Sequence, residues 1–111
     1  MAVNWARIRE LRDEIGPDDF DEVVELFLAE VEGALEQLSC SQDPPDEAEY
    51  HFIKSSALNL GFDGLAALCA RGEAGMIEAG SADISPGEMS ATFQAEREEL
   101  QSLDGISGDA A

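Results

Sequence analysis

Positive charge is the scarcest feature of this 111-residue chain. Its six lysines and arginines stand against 25 aspartates and glutamates, which gives a formal net charge of -19 at pH 7. A chain of this charge repels phosphate backbones and anionic lipid surfaces at long range. We therefore expect that the protein binds neither nucleic acid nor membranes.

Long apolar runs and cysteine pairs are also missing. No apolar segment approaches the roughly 20 residues needed to cross a bilayer. The first residues, which include Arg7, Arg9 and Arg12, resemble neither a secretory signal nor a transit peptide. Cys40 and Cys69 share no metal-site spacing, so we expect two reduced thiols rather than a zinc site or a redox pair. These absences predict a cytoplasmic protein with no metal of its own.

The apolar residues that are present recur at helical intervals along almost the whole chain. Gly16 with Pro17, Gly61 and Gly80 interrupt the pattern at helix ends, and no segment alternates with the period of a strand. The pattern predicts an all-α fold, an antiparallel four-helix bundle with a short additional N-terminal helix. The length and the 44% apolar content fit one domain over residues 1–103, followed by a flexible C-terminal tail over residues 104–111.

Helix starts are predicted from residues that can cap a helix. Asp18 or Asp19 is the expected N-cap of the second helix, and Asp63 that of the fourth. Asp43 is the expected N-cap of the third helix, because the proline after it excludes the α conformation at the preceding residue. The run from Ser85 to Glu88 has the pattern of a capping box with proline at the first helical position, so a fifth helix should begin there.

The same periodicity predicts which side chains face the core. The predicted core residues are Val3, Ile8, Leu11 and Ile15, then Phe20, Val23, Val24, Phe27, Val31, Ala34, Leu35 and Leu38, then Ile53, Ala57 and Leu60, then Leu65, Leu68, Cys69, Met76 and Ala79, and finally Met89, Phe93, Leu100 and Leu103.

Two glycines, Gly72 and Gly75, interrupt the fourth helix, where each costs about 1 kcal/mol in helix propensity. They either permit a close approach of another helix or mark a weak point.

The only histidine of the chain, His51, is predicted on the outward face of the third helix. At about 100° per residue it lies about 160° from Ile53, which faces the core. Lys54, one turn along, is the only basic residue between Asp13 and Ala70, so its ammonium group stands where it could meet an added negative charge. The residues predicted to share this outward face are Glu47, Ala48, Lys54, Ser55 and Leu58.

At these residues the chain resembles a known family. The run HFIKSSALNLG, from His51 to Gly61, is similar to the signature of histidine-containing phosphotransfer (Hpt) domains, and the helix order from about residue 3 to residue 103 agrees with it. Two positions depart from the family pattern. Ser55 stands where glycine is common, and Phe62 stands where a small residue is common. The departure at Ser55 bears on the choice of partner and on the tightness of docking.

The resemblance implies that residues 1–103 form a phosphorelay intermediate. His51 would accept a phosphoryl group from a receiver-domain aspartate, through the ring nitrogen farther from the backbone, and pass it to another receiver. Lys54 would steady the phosphoryl oxygens. Arg71, on the next helix, is a candidate second cation, with an ordinary solvated arginine as the alternative. Response-regulator receiver domains are the expected partners, a hybrid sensor histidine kinase is a further candidate, and we expect a monomer.

Elementary chemistry agrees with this interpretation and leaves two alternatives. Imidazole is largely neutral at cytosolic pH and is a competent nucleophile. We expect no cofactor in the protein itself, because the Mg²⁺ for the transfer would lie in the acidic pocket of the receiver. An enzyme with its own catalysis is disfavoured, since the sequence has no glycine-rich phosphate loop and no ATP-binding pattern. The alternatives are an ordinary surface histidine and a phosphorylation-independent acidic helical adaptor that binds a partner through the same face, which comprises Glu47, Ala48, Ser55 and Leu58.

Overall fold

Five helices form most of the part of the chain that the structure describes. The computed structural model describes the backbone of residues 3–110 and the side chains of residues 3–101. Helices α2 to α5 form an antiparallel bundle, and α1 packs against α2 and α3. The predicted all-α bundle with a short N-terminal helix is confirmed. The helices are α1 Trp5–Ile15, α2 Pro17–Cys40, α3 Glu47–Leu60, α4 Asp63–Ala79 and α5 Pro86–Ala110.

The core contains most of the residues that periodicity placed there. In α2, however, Leu28 is buried although it was not predicted, whereas Val23 and Phe27 are only half-buried at the edge of the apolar stripe. Ala79 was predicted to face inward and is exposed, because it ends α4 at the rim of the bundle. Leu103 lies outside the described side chains. No helix within the described range is both long and apolar enough to cross a bilayer.

The predicted start of α2 is wrong by about two residues. Pro17 is the first helical residue and Gly16, with a φ of 99°, is the N-cap. Asp18 and Asp19 lie in the first turn, where their carboxylates still favour the positive end of the helix dipole. Proline suits the first position because its φ is already helical and its missing N–H would have had no partner.

The predicted start of α3 is also wrong. Asp46, and not Asp43, is the N-cap. Asp46 Oδ1 accepts a hydrogen bond of 2.8 Å from the backbone N–H of Glu49, and Glu49 Oε1 accepts one of 2.9 Å from the backbone N–H of Asp46. This reciprocal capping box satisfies two backbone donors at once, whereas Asp43 could have satisfied only one. At α5 the predicted cap is confirmed, since Ser85 Oγ accepts a bond of 3.1 Å from the Glu88 N–H.

The first turn of α4 is capped from another helix. Phe62 is the N-cap and Asp63 is the first helical residue, so the prediction that Asp63 caps this helix is wrong. The carboxylate of Glu96, on α5, accepts hydrogen bonds of 3.0 Å from the backbone N–H groups of both Gly64 and Leu65. Glu96 is only 1% exposed, and this burial raises the pKa of its carboxyl group to about 6. The Glu96 carboxylate of α5 therefore accepts the backbone hydrogen bonds that the side chain of a local N-cap residue would otherwise accept.

A tight hairpin of α3 and α4 sets the geometry around His51. Gly61 ends α3 in the left-handed conformation, as predicted, with a φ of 73°. Along the hairpin the Tyr50 ring packs on Gly72 so closely that a Cβ there would lie 2.4 Å from a ring carbon. The Tyr50 hydroxyl also donates a 2.8 Å hydrogen bond to the carbonyl of Ile84. Gly72 therefore permits a close helix approach, which brings side chains of α4 within reach of those on α3.

Candidate functional site

His51 projects from the middle of α3 into solvent. Its side chain is 60% exposed, because Ile53, Ala57 and Leu60 turn the opposite face of the helix into the core. The outward orientation predicted for His51 is therefore confirmed. One side of the imidazole ring nevertheless contacts the protein, since Nδ1 lies 2.8 Å from Oε2 of Glu73 on α4.

Glu73 joins His51 to Lys54. While its Oε2 contacts the imidazole, its Oε1 accepts a short hydrogen bond from the Lys54 ammonium group, so one carboxylate bridges both basic groups. The Glu73 side chain is only 16% exposed between them. The hydrogen bond from Lys54, and after it the one from His51, holds the pKa of the Glu73 carboxyl group below its usual value. Glu73 is therefore a carboxylate at neutral pH.

The contact with Glu73 fixes the state of the imidazole ring. A carboxylate can only accept hydrogen bonds, so the His51 nitrogen that faces it, Nδ1, must carry a hydrogen. In the neutral ring the other nitrogen, Nε2, then has the free lone pair. Since the ring stands out from α3, Nε2 is the nucleophilic atom that the site offers to a reagent from outside.

The outward surface around His51 is mixed in character. Glu47, Ala48 and Ser55 are exposed, and Leu58 is 50% exposed, so the helical phase used to predict this surface is correct. Phe52, which sequence reasoning did not select, is also 48% exposed. A shallow depression beside the imidazole is lined by Glu47, Ala48, His51, Phe52, Ser55 and Glu73. We call Glu47, Ala48, His51, Phe52, Ser55 and Leu58 the His51 face.

Comparison with known families gives the context for this geometry. A family model described as the Hpt domain matches residues 22–104 of the chain, which is well over half of its length. The chain belongs to the Hpt domain family. The comparisons with curated proteins and with solved structures gave no match.

Family membership settles the general function of the chain. Hpt domains are helical bundles that carry phosphoryl groups on histidine in two-component signalling, and they interact with receiver domains and histidine kinases. They are phosphotransfer carriers rather than classical enzymes. The resemblance seen in the sequence is confirmed at this level, and the helical bundle agrees with it.

The two departures from the Hpt pattern have different structural consequences. Phe62 is fully buried and packs against Phe93 of α5, with 6.0 Å between the ring centroids. It therefore contributes to the core and does not alter the His51 face. Ser55 is exposed on that face, one turn from His51, where an added side chain would meet a partner.

Arg71 does not join the ion pairs around His51. It is exposed on α4, two residues before Glu73, and among the described residues the groups paired with Glu73 are His51 and Lys54. Its role as a second cation toward a phosphoryl group stays a prediction. No group of three or more potential metal ligands occurs among the described residues.

Glu73 is the site residue that sequence reasoning missed. It is one of 25 acidic residues, and nothing in its local sequence distinguishes it from the solvated ones. The geometry of the α3–α4 hairpin could have identified Glu73 as a neighbour of His51. Gly61 closes the turn between α3 and α4, and His51 and Glu73 lie at similar distances before and after it, so antiparallel packing puts them side by side.

Proposed function

We propose that this Hpt domain accepts a phosphoryl group on Nε2 of His51 from the aspartyl phosphate of one receiver domain and passes it to the aspartate of another. The observation that carries this proposal is the Nδ1 contact with Glu73. It leaves Nε2, on the exposed side of the ring, as the nucleophile. Membership of the Hpt family supports phosphotransfer in general, and the geometry supports this atom of this residue.

Lys54 is proposed to stabilise the phosphoryl group. Its ammonium group lies beside the imidazole through their shared contact with Glu73. Phosphoryl transfer depends on positioning and on neutralising the charge of the oxygens, rather than on covalent chemistry by the protein. Lys54 can reorient from the Glu73 carboxylate toward the phosphoryl oxygens by rotation of its flexible stem.

The His51 face is proposed as the surface on which receivers dock. Exposed Phe52 and Leu58 offer apolar area near the histidine, while Ala48 and Ser55 are small enough to let a partner approach the ring. We propose that the domain acts as a monomer, holds no cofactor, and depends on the Mg²⁺ of the receiver for the transfer. It has no kinase activity of its own in this scheme.

Labelling by a phosphorylated receiver tests the proposal. Incubated with receivers that carry a radiolabelled aspartyl phosphate, the protein should gain one acid-labile, alkali-stable phosphoryl group, and the variant His51→Gln should gain none. If His51→Gln is labelled as well as the unmodified protein, the acceptor is another residue. If receivers bind both proteins tightly but label neither, the phosphorylation-independent adaptor is the correct function.

A further inference from the structure

The contact between Glu73 and His51 matters for the second half of the transfer as well as for the first. When neutral imidazole attacks an aspartyl phosphate, the Nε2–P bond forms, the O–P bond breaks, and the electron pair of the O–P bond stays on the aspartate carboxylate. The hydrogen on Nδ1 takes no part in this exchange. The product ring therefore carries both a phosphoryl group on Nε2 and a hydrogen on Nδ1, which makes it a cation.

Release of the phosphoryl group depends on that hydrogen. On transfer to the next receiver, the Nε2–P bond breaks and its electron pair returns to the ring. If Nδ1 still holds its hydrogen, the ring leaves as neutral imidazole. If the hydrogen has been lost to water, the ring must leave as imidazolate, which is a far stronger base and a poorer leaving group. A phosphorylated ring that loses its Nδ1 proton is therefore a poor donor.

Glu73 is placed to prevent this loss. Its Oε2 lies 2.8 Å from Nδ1, so the phosphorylated ring would gain a charge-assisted hydrogen bond between a cationic donor and an anionic acceptor. The charged groups that face the ring are Glu73 from α4 and Lys54 and Glu47 from α3. Within the described side chains, α1, α2 and α5 contribute no charged group to the depression around it.

We propose that Glu73 keeps the Nδ1 hydrogen on the phosphorylated ring of His51 and so preserves the domain as a phosphoryl donor to the next receiver. Glu73 acts through the ring and does not touch the phosphoryl group, which makes it a positioning residue. This inference rests on the proposed phosphorylation of His51. The inference goes beyond that phosphorylation, because it assigns to Glu73 a role in the departure of the phosphoryl group.

The titration of the phosphorylated ring tests this role without a receiver. Each protein is loaded with phosphoramidate, a small-molecule phosphoryl donor, and the imidazole nitrogens are followed by ¹⁵N NMR as the pH is raised. Because His51 is the only histidine, its signals need no separation from others. The variants are Glu73→Gln, which keeps the size of the side chain, Glu73→Ala, which removes the acceptor, and Lys54→Ala. Glu78→Gln, an exposed site on α4, controls for the loss of one negative charge.

The expected result is a lower titration midpoint when the carboxylate is removed. The midpoint of the phosphorylated ring should fall by at least about one pH unit in Glu73→Gln, which is a tenfold loss of proton affinity, and at least as far in Glu73→Ala. It should stay at the wild-type value in Glu78→Gln. It should not fall in Lys54→Ala, which loses a cation but retains Glu73. Equal midpoints in the wild type and both Glu73 variants would overturn the proposal.

Transfer kinetics separate this inference from the proposed function. The rate of transfer from the phosphorylated domain to a receiver should decline with rising pH. In Glu73→Gln the midpoint of this decline should lie at a lower pH, and the difference from the wild type should equal the difference between the two ring titration midpoints. If wild-type phosphohistidine transfers to no receiver at any pH although the midpoints differ as expected, the relay function fails and the role of Glu73 on the ring stands. If transfer occurs with identical pH profiles in both proteins, Glu73 has no part in the release step.

Discussion

Gly72 permits the close contact between α3 and α4 at the Tyr50 ring. Alanine is preferred over glycine within a helix by about 1 kcal/mol. At this position, however, the added Cβ would lie 2.4 Å from the Tyr50 ring, and overpacking of a core costs typically about 1 to 3 kcal/mol. Gly72→Ala should therefore lower the free energy of unfolding, as measured by urea denaturation. Gly33→Ala is the matched control.

Gly33 lies within α2, where a Cβ would have no neighbour within 4 Å. Gly33→Ala should therefore stabilise the protein by roughly 0.5 to 1 kcal/mol through helix propensity alone. If Gly72→Ala stabilised the protein as much as Gly33→Ala does, the Tyr50 ring would have room to move and the packing of α3 on α4 would be looser than the structure shows.

Lys54 is expected to matter for the phosphoryl group more than for folding. Its side chain is 25% exposed and its ion pair with Glu73 is close to solvent, where such pairs contribute about 0 to 1 kcal/mol. Lys54→Ala should unfold within a few degrees of the wild-type temperature and should transfer phosphate more slowly or lose it sooner. Thermal unfolding and rapid-quench transfer kinetics measure the two effects. Transfer at the wild-type rate would show that Lys54 belongs only to the solvated surface.

Single residues differ in how far the sequence reveals them. His51 and Lys54 could be selected because both lie on one helix, where spacing alone predicts that they are neighbours. Glu73 lies on a different helix, and its contact with them depends on the packing of Tyr50 against Gly72. A contact between helices of this kind has no local signature in the sequence.

At the scale of helices, the start of α4 depends on a buried carboxylate from α5. Burial raises the pKa of Glu96 from its usual 4.5 to about 6, so between these values the folded state binds a proton more tightly than the unfolded state does. Proton binding by Glu96 therefore contributes to the free energy of unfolding. That contribution is fully present below about pH 4.5 and decreases as the pH rises through about 6. A shift of this size corresponds to about 2 kcal/mol.

Glu96→Gln should remove that pH dependence. The difference in unfolding free energy between the wild type and Glu96→Gln should therefore shift in favour of the wild type as the pH is lowered from about 7 to about 5. The comparison with the variant is needed because the other carboxylates titrate in both proteins. Urea denaturation of both proteins between about pH 7 and about pH 5 measures this difference in unfolding free energy. A difference that does not change with pH would mean that Glu96 is ionised as easily in the folded state as in the unfolded chain.

The outward face of α3 is the second feature at this scale. Under the proposed docking mode, a partner that reaches the imidazole also covers Ser55 and Leu58, which lie one and two turns along from His51. Leu58→Glu and Ser55→Trp should keep the wild-type helicity and melting temperature while weakening receiver binding at least about tenfold, which corresponds to about 1.4 kcal/mol. Circular dichroism and isothermal titration calorimetry against a receiver measure both properties.

Leu26→Glu controls for the loss of an apolar surface residue and the gain of a charge. Leu26 is 60% exposed on α2, and it does not line the depression beside His51. This variant should bind receivers like the wild type. Equal weakening by Leu26→Glu and Leu58→Glu would show that added negative charge, and not the His51 face, controls binding.

The helices themselves were easier to predict than their first residues. Their number, order and inner faces follow from apolar spacing, and Gly61 and Gly80 end α3 and α4 in the left-handed conformation, as expected. The N-caps were harder because they depend on competition between several candidates. At α3 a reciprocal capping box outweighs Asp43, and at α4 Glu96 supplies the hydrogen bonds from another helix.

The molecule as a whole is an acidic helical bundle that presents one histidine. Its fold class could be predicted from the sequence because helical periodicity runs through almost the entire chain. The backbone of α5 is helical to Ala110, and the side chains after residue 101 lie outside the described residues. The domain boundary at residue 103 and the flexibility of residues 104–111 stay predictions. The proposed function rests on a smaller unit, the α3–α4 hairpin, in which Glu73 contacts Nδ1 of His51 and leaves Nε2 on the exposed side of the ring.

The site of the phosphoryl group on the imidazole can be observed by NMR. The ¹⁵N-labelled protein is phosphorylated by a receiver that carries an aspartyl phosphate, and the coupling between ³¹P and ¹⁵N identifies the bonded nitrogen. We predict a single phosphoryl group on Nε2 of His51, with Nδ1 still bearing its hydrogen, and no phosphoryl group on His51→Gln. A phosphoryl group on Nδ1 or on another residue would contradict the role assigned to His51 and Glu73. So would the absence of phosphorylation in both the wild type and His51→Gln.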